Sequence, residues 1–113
     1  MQIQYSELDN GIRLIKLSGA LDMNGTYEIE VEFVRHCAGE HVHVLVDLSK
    51  VNYISSIGIP MLVNSAKSIV KHGGKMILLS PQEAVEQILE LAGVPLILPL
   101  YPDLASATAA LAA

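Results

Sequence analysis

The chain has no tryptophan, one phenylalanine and one cysteine, and its seven lysines and arginines are outnumbered by twelve aspartates and glutamates. A single cysteine, Cys37, excludes an intrachain disulfide and any multi-cysteine metal site, and as a lone thiol between His36 and Ala38 it reads as a packing residue. The few bases are scattered from Arg13 to Lys75 without interleaved aromatics, and the net charge is −5, so nucleic acid and anionic membrane are disfavoured as partners. Long apolar runs are missing too. A membrane-spanning helix needs roughly 20 predominantly apolar residues, whereas VPLILPLY, from Val94 to Tyr101, is interrupted by two prolines. The opening residues MQIQYSELDN carry neither the basic stretch nor the apolar core of a secretory signal, so no direct membrane insertion is expected and the cytoplasm is the expected location.

What the chain does have is apolar content: 51% of 113 residues, enough for one compact domain, 1–113, that buries about two-thirds of its unfolded surface. Asp9-Asn10-Gly11 between QIQYSEL and GIRLIKLSG is a strong hairpin signal, which makes the first two strands antiparallel neighbours. From Asn24 to Ala38 two periods compete. Tyr27, Ile29, Val31 and Phe33 alternate with Glu28, Glu30 and Glu32 as in a strand, while Tyr27, Val31 and Val34 fit a helix. Its length and its Ala38-Gly39 ending favour the helix. HVHVLVDL, from His41 to Leu48, reads as a central strand covered on both faces. From Ile59 to His72, Leu62, Ala66 and Ile69 share one face and Asn64, Lys67, Ser68 and Lys71 the other, an amphipathic helix closed by Gly73-Gly74.

KMILLS is a further buried strand. SPQE after it has the form of a capping box, with Ser80 as N-cap, Pro81 first in the helix and Glu83 reaching back. The predicted helix turns Val85, Ile88, Leu89 and Ala92 inward and ends at Gly93. PLIL is read as a short strand, and Asp103 as the cap of a final helix to about Ala112. The order strand, strand, helix, strand, helix, strand, helix, strand, helix predicts an α/β fold: a mixed, mostly parallel sheet with right-handed crossovers, flanked by about four helices.

Signatures of catalysis are thin. His41 and His43 would share a strand face, but no third ligand is placed beside them or beside His36 and His72, so no metal site is expected. Position 54 is Ile, which breaks the Gly-x-Ser-x-Gly elbow around Ser56, and Gly73-Gly74 lacks the Gly-Lys-Ser/Thr tail of a phosphate loop. The Glu28, Glu30, Glu32 series reads as a solvated acidic face. The chain is therefore not read as an enzyme.

The remaining feature is VNYISSIGIP, from Val51 to Pro60, where a strand gives way to a helix, the edge at which open α/β sheets usually meet ligands and partners. One serine serves as an N-cap; two leave a hydroxyl over. Gly58 in the first turn costs up to about 1 kcal/mol against alanine, and Pro60 is tolerated only in a first turn, which places the helix start at or after Ser56. Phosphate on a serine there would add about −1.5 to −2 charge, and free N–H groups and the positive helix end would receive it.

VLVDLSKVNYISSIGIPMLV, with SGALDMNGTYEIE before it and GGKMILLSPQEAVEQILELAGV after it, resembles a STAS domain of the anti-sigma factor antagonist type, from about Gly11 to Ala110. The most specific part is Asp47-Leu48-Ser49, a spacer, and Ser55-Ser56-x-Gly58. The resemblance implies a mixed sheet flanked by helices and no cofactor. It also implies partner switching: the unphosphorylated form binds a serine kinase that is the anti-sigma factor, the kinase phosphorylates one serine, and a PPM-type serine phosphatase reverses it. The family places that serine two residues before the glycine, which is Ser56 here, with Ser55 the second choice. Asp22, Asn24, Thr26, Asp47, Ser55, Gly58, Ile59 and Met61 are the implied partner contacts, together with the exposed face of the helix after Ile59. Ser55 stands where many relatives carry Asp, Ile57 where they carry a small residue, and Pro60 is an addition. STAS folds also serve as constitutive subunits, beside a lipid-transporting ATPase or in a signalling scaffold, and there the serine would be structural.

Overall fold

The computed structural model describes residues 1–112. Among them are five strands, β1 (Gln2–Glu7), β2 (Arg13–Leu21), β3 (His43–Ile54), β4 (Lys75–Leu79) and β5 (Leu100–Tyr101), and four α-helices, α1 (Met23–His36), α2 (Gly58–Lys71), α3 (Glu83–Leu91) and α4 (Leu104–Ala112). The sheet runs β1-β2-β3-β4-β5, with β1 antiparallel to β2 and every later pair parallel. The hairpin closes where Asp9-Asn10-Gly11 predicts: Gly11 adopts φ +81°, a conformation that costs a residue with a Cβ, and its N–H donates to the Leu8 carbonyl.

Each face of the sheet has its own cover. Ile15, Leu17, Val44, Val46, Leu48 and Leu78 point toward α1, α2 and α3, which return Phe33, Leu62, Ile69 and Leu89. Leu14, Leu45, Ile77 and Leu79 point the other way, onto Ala107 and Leu111 of α4. This alternation along β2 and β3 is what a strand buried on both faces produces. Fully burying such a side chain stabilises the fold by about 1.5–3 kcal/mol.

The ambiguous acidic segment is helical. Asp22 caps it by accepting from the Gly25 N–H at 2.7 Å. At the other end Arg13 reaches from β2 and donates to the His36 and Ala38 carbonyls, satisfying acceptors that the helix leaves open. Ile29 and Phe33 face the core, so the alternation with glutamate leaves Tyr27 and Val31 in solvent. Cys37 is buried just past this helix, and burial pushes its thiol from 9.0 up to about 12 against the opposing pull of Arg13. The folded chain should resist alkylation by iodoacetamide at mildly alkaline pH and react only after denaturation. Equal labelling rates in the two states would contradict that burial.

Several expectations are corrected. The predicted capping box does not form: Ser80 adopts φ +52°, its N–H donates to the Tyr101 carbonyl and its hydroxyl to the Pro102 carbonyl. The β4–β5 edge has taken Ser80, and α3 begins at Glu83 behind Gln82, which makes no side-chain cap and donates to the Ser49 carbonyl instead. Ala92 is exposed as the C-cap of α3, not buried with Val85 and Leu89. PLIL is not a strand: Val94–Leu96 forms a 3₁₀ turn, and the edge strand is the two residues that follow Pro99. Proline has no N–H to give a ladder, which is why pairing waits until Leu100. The central strand does not end at Leu48 but runs to Ile54, through register shifts between Lys16/Ser18 and Gly19/Ala20 on its β2 side. His41 lies outside it in a φ +55° turn, while His43 opens the strand, so the two do not form a ligating pair on one strand face.

Candidate functional site

The C-terminal ends of β2 and β3 lie side by side, with Leu21 paired to Ile54. Each strand turns at once into its helix, β2 through Asp22 into α1 and β3 through Ser55, Ser56 and Ile57 into α2. The two turns are tied together. The Leu21 carbonyl accepts both from the Ser55 N–H and from the Ser55 hydroxyl, each at 3.0 Å. The same Ser55 oxygen then accepts from the Ile57 and Gly58 N–H groups at 3.2 and 3.3 Å, and the Ser55 carbonyl accepts from Gly58 and Ile59.

This arrangement answers why two hydroxyls stand together. Ser55 is half-buried and its hydroxyl is fully used, one bond given and two received. Ser56 is exposed, and its hydroxyl has no hydrogen-bond partner among the described residues. One serine builds the turn and the other is presented by it. Ser55→Ala should cost about 1–2 kcal/mol in chemical denaturation, because the bonds its oxygen accepts at the helix start and the one it gives to the end of β2 go together. No loss would mean that Ser55 does not hold the turn.

The free N–H groups expected just after Ser56 at this helix start are engaged. The N–H groups of Ile57, Gly58 and Ile59 all go to Ser55, and Pro60 has none. A phosphate on Ser56 would find those donors engaged and would stay a solvated dianion, held in the fold only by the weak field of the helix end.

The predicted contact residues separate into groups. Asp22 and Asn24 are exposed at the start of α1, and Ile59 is half-buried at the start of α2, so these three share the edge with Ser56. Thr26, Gly58 and Met61 are buried and corrected to packing positions. Thr26 lies on the core side of α1, and a Cβ on Gly58 would stand 2.9 Å from the Leu21 carbonyl oxygen and 3.0 Å from Leu21 Cβ. Gly58 is thus required by the close approach of α2 to β2. The structure does not bring Asp47 to the serines. It lies roughly 20 Å back along β3, where its carboxylate accepts from the Ser49 N–H at 2.8 Å and lines a separate cleft with Lys16 and Lys50. Two exposed side chains at the serine edge escape a sequence reading, Met23 and Tyr53. No alternation marks the second: along VNYI, Val51 and Ile54 are buried while Asn52 and Tyr53 are both exposed.

No helix among the described residues is long and apolar enough to cross a membrane. The family model described as STAS domain matches residues 6–107. The chain is 24% identical over 108 residues to an anti-sigma F factor antagonist from Paenibacillus polymyxa, covering 91% of this chain and 88% of that one. Among solved structures it is similar to an anti-sigma factor antagonist from Mycobacterium paratuberculosis, with a TM-score of 0.88 at 24% identity over 99% and 94% of the two chains. It is also similar to the Bacillus cell fate determinant SpoIIAA in the phosphorylated form, with a TM-score of 0.65 at 15% identity over 90% and 93%. At these identities the two structures speak for the fold alone.

Proposed function

We propose, because this chain belongs to the STAS domain family of the anti-sigma factor antagonist type, that it is a regulatory binding protein whose docking is switched by phosphate on Ser56. In the unphosphorylated form the edge carrying Asp22, Asn24, Ser56 and Ile59 binds a serine kinase that acts as an anti-sigma factor, and sequesters it in the cytoplasm. The kinase transfers the γ-phosphoryl group of ATP to the Ser56 oxygen: the new O–P bond forms as the bond to the ADP oxygen breaks, and the hydroxyl proton passes to a base of the kinase. The dianion then lies in the contact itself, and the partner is released. A PPM-type serine phosphatase restores the hydroxyl by hydrolysing that O–P bond with water. The protein itself performs no chemistry and needs no cofactor in this scheme.

The observation that carries the reading is the division of labour between the two serines. Ser55 is committed to the backbone, while Ser56 is exposed with its hydroxyl unbonded. Modification at Ser56 therefore leaves every bond of the turn in place. The test is incubation with ATP and the cognate kinase, followed by mass spectrometric mapping of the modified residue. Phosphate should appear on Ser56 and disappear in Ser56→Ala. Modification of Ser56→Ala to the same extent would refute the site, and normal biological output from that variant would assign the chain to the constitutive-subunit reading instead.

A further inference from the structure

Asp47-Leu48-Ser49 takes no part in the switch, and the strand that carries it is irregular there. Leu48 and Val51 are both buried against the helices, so Ser49 and Lys50 between them both turn outward. β3 thus takes three steps, Asp47 to Lys50, where β2 takes two, Lys16 to Ser18. Regular alternation would put Lys50 on the opposite face from Asp47. The extra residue returns it to the face of Asp47 and Lys16, and re-aiming a side chain is what a β-bulge does.

On that face α4 covers Leu14, Leu45, Ile77 and Leu79. Beyond its cover the register sets two polar rows across β1, β2 and β3, with Gln4, Lys16 and Asp47 in one and Gln2, Ser18 and Lys50 in the other. Together they line the cleft of Asp47, about 260 Å³ in volume. Neither lysine forms an ion pair among the described residues. Asp47 stands directly across from Lys16, yet its carboxylate accepts from the Ser49 N–H of its own strand at 2.8 Å.

We propose that this cleft binds a small phosphorylated polyol of the sugar phosphate class. Two ammonium groups on neighbouring strands match a phosphate monoester, which is close to a dianion at neutral pH. The Asp47 carboxylate repels a bare anion but accepts from hydroxyls, so the ligand carries donors beside its phosphate, and Gln2, Gln4 and Ser18 add amide and hydroxyl groups for them. Leu17 is the one apolar lining residue, and it is 1% exposed because its side chain belongs to the core on the helix side. A nucleobase or an acyl chain therefore finds no apolar wall there. The volume falls below the roughly 300–1,000 Å³ of drug-sized sites, which suits a monosaccharide.

The experiment records the amide NMR spectrum of the isotope-labelled full chain during titration with glucose-6-phosphate, inorganic phosphate and glucose. Saturable shifts should gather at Lys16, Ser18, Ser49 and Lys50, with glucose-6-phosphate bound about tenfold or more tighter than inorganic phosphate and glucose not bound. Lys16→Gln with Lys50→Gln should weaken both phosphates by about tenfold or more, while amide positions away from the cleft stay unchanged and show an intact fold. Asp47→Asn should narrow the gap between the two phosphates, because it removes a repulsion felt by both and weakens an acceptor used only by the sugar. No saturable shift at millimolar ligand would overturn the proposal, as would equal affinity for the two phosphates, a double lysine variant that binds like the parent, or an unchanged gap in Asp47→Asn. Shifts spread equally over Lys67, Lys71 and Lys75 would mean an adventitious ion only and overturn it too.

Discussion

Ser56→Glu is expected to weaken binding to the cognate kinase by about 30-fold or more, which corresponds to about 2 kcal/mol, while its unfolding transition superimposes on that of the parent chain. The direction follows from where the donors of the turn already are. A charge at position 56 gains no hydrogen bond from Ile57, Gly58 or Ile59, because Ser55 holds all three N–H groups. The fold therefore offers the carboxylate little to bind. The helix-end field contributes at most about 0.3–1 kcal/mol at an exposed site, so stability should barely change. Affinity should change greatly, since a desolvated charge without a cation opposite costs about 2–5 kcal/mol in an interface. True phosphate, with nearly twice the charge, should act more strongly. Titration calorimetry of Ser56→Glu and Ser56→Ala side by side checks this: near-parental affinity in the alanine variant with loss in the glutamate variant is expected. Equal affinity in both would place the kinase contact elsewhere on the molecule.

The placement of that hydroxyl was largely readable from sequence, and the division between the two serines was not. The spacing of Leu62, Ala66 and Ile69, with Gly58 and Pro60 in the first turn, fixes α2 and its start, and all three apolar residues are buried as expected. Which serine caps depends on the Leu21 carbonyl, 34 positions earlier in the chain. Local pattern cannot carry such a contact. Ser80 failed for the same reason: SPQE has the spacing of a capping box, but the edge strand β5 claims the Ser80 N–H and its following residue claims the hydroxyl, so a tertiary pairing displaced a local one. Thr26, Gly58 and Met61 were misplaced because closeness in sequence to a site does not give the side of the helix. Thr26 is one helical step from exposed Tyr27, yet it faces the core. Asp47 was drawn in by its place in a motif, and the extra length of β3 carries it away.

Gly25→Ala should destabilise the fold by about 2 kcal/mol and slow phosphorylation of Ser56, although residue 25 touches no partner. Two effects oppose each other. Alanine is worth about 1 kcal/mol more than glycine in a helix interior, and Gly25 lies in the first turn of α1. Against this, a Cβ built on Gly25 would overlap the Ala20 carbonyl oxygen and stand 3.2 Å from the Asp22 carboxylate that caps the helix. Backbone atoms cannot swing away as a flexible side chain does, so α1 or the end of β2 must shift, and overpacking of this kind commonly costs about 1–3 kcal/mol, occasionally more. The overlap outweighs the propensity gain. The end of β2 is also where the Leu21 carbonyl holds Ser55, so a displaced strand end loosens the turn that presents Ser56. Gly11→Ala is the control: its added Cβ meets nothing within 4 Å, and only the φ of +81° opposes it, a penalty of about 1–2 kcal/mol with no route to the serine edge. Urea unfolding together with initial phosphorylation rates should separate the two variants, Gly25→Ala losing both stability and rate and Gly11→Ala losing stability alone. Parental stability in Gly25→Ala would show that α1 does not approach β2 so closely, and would remove the physical link between the core of this protein and the hydroxyl at its edge.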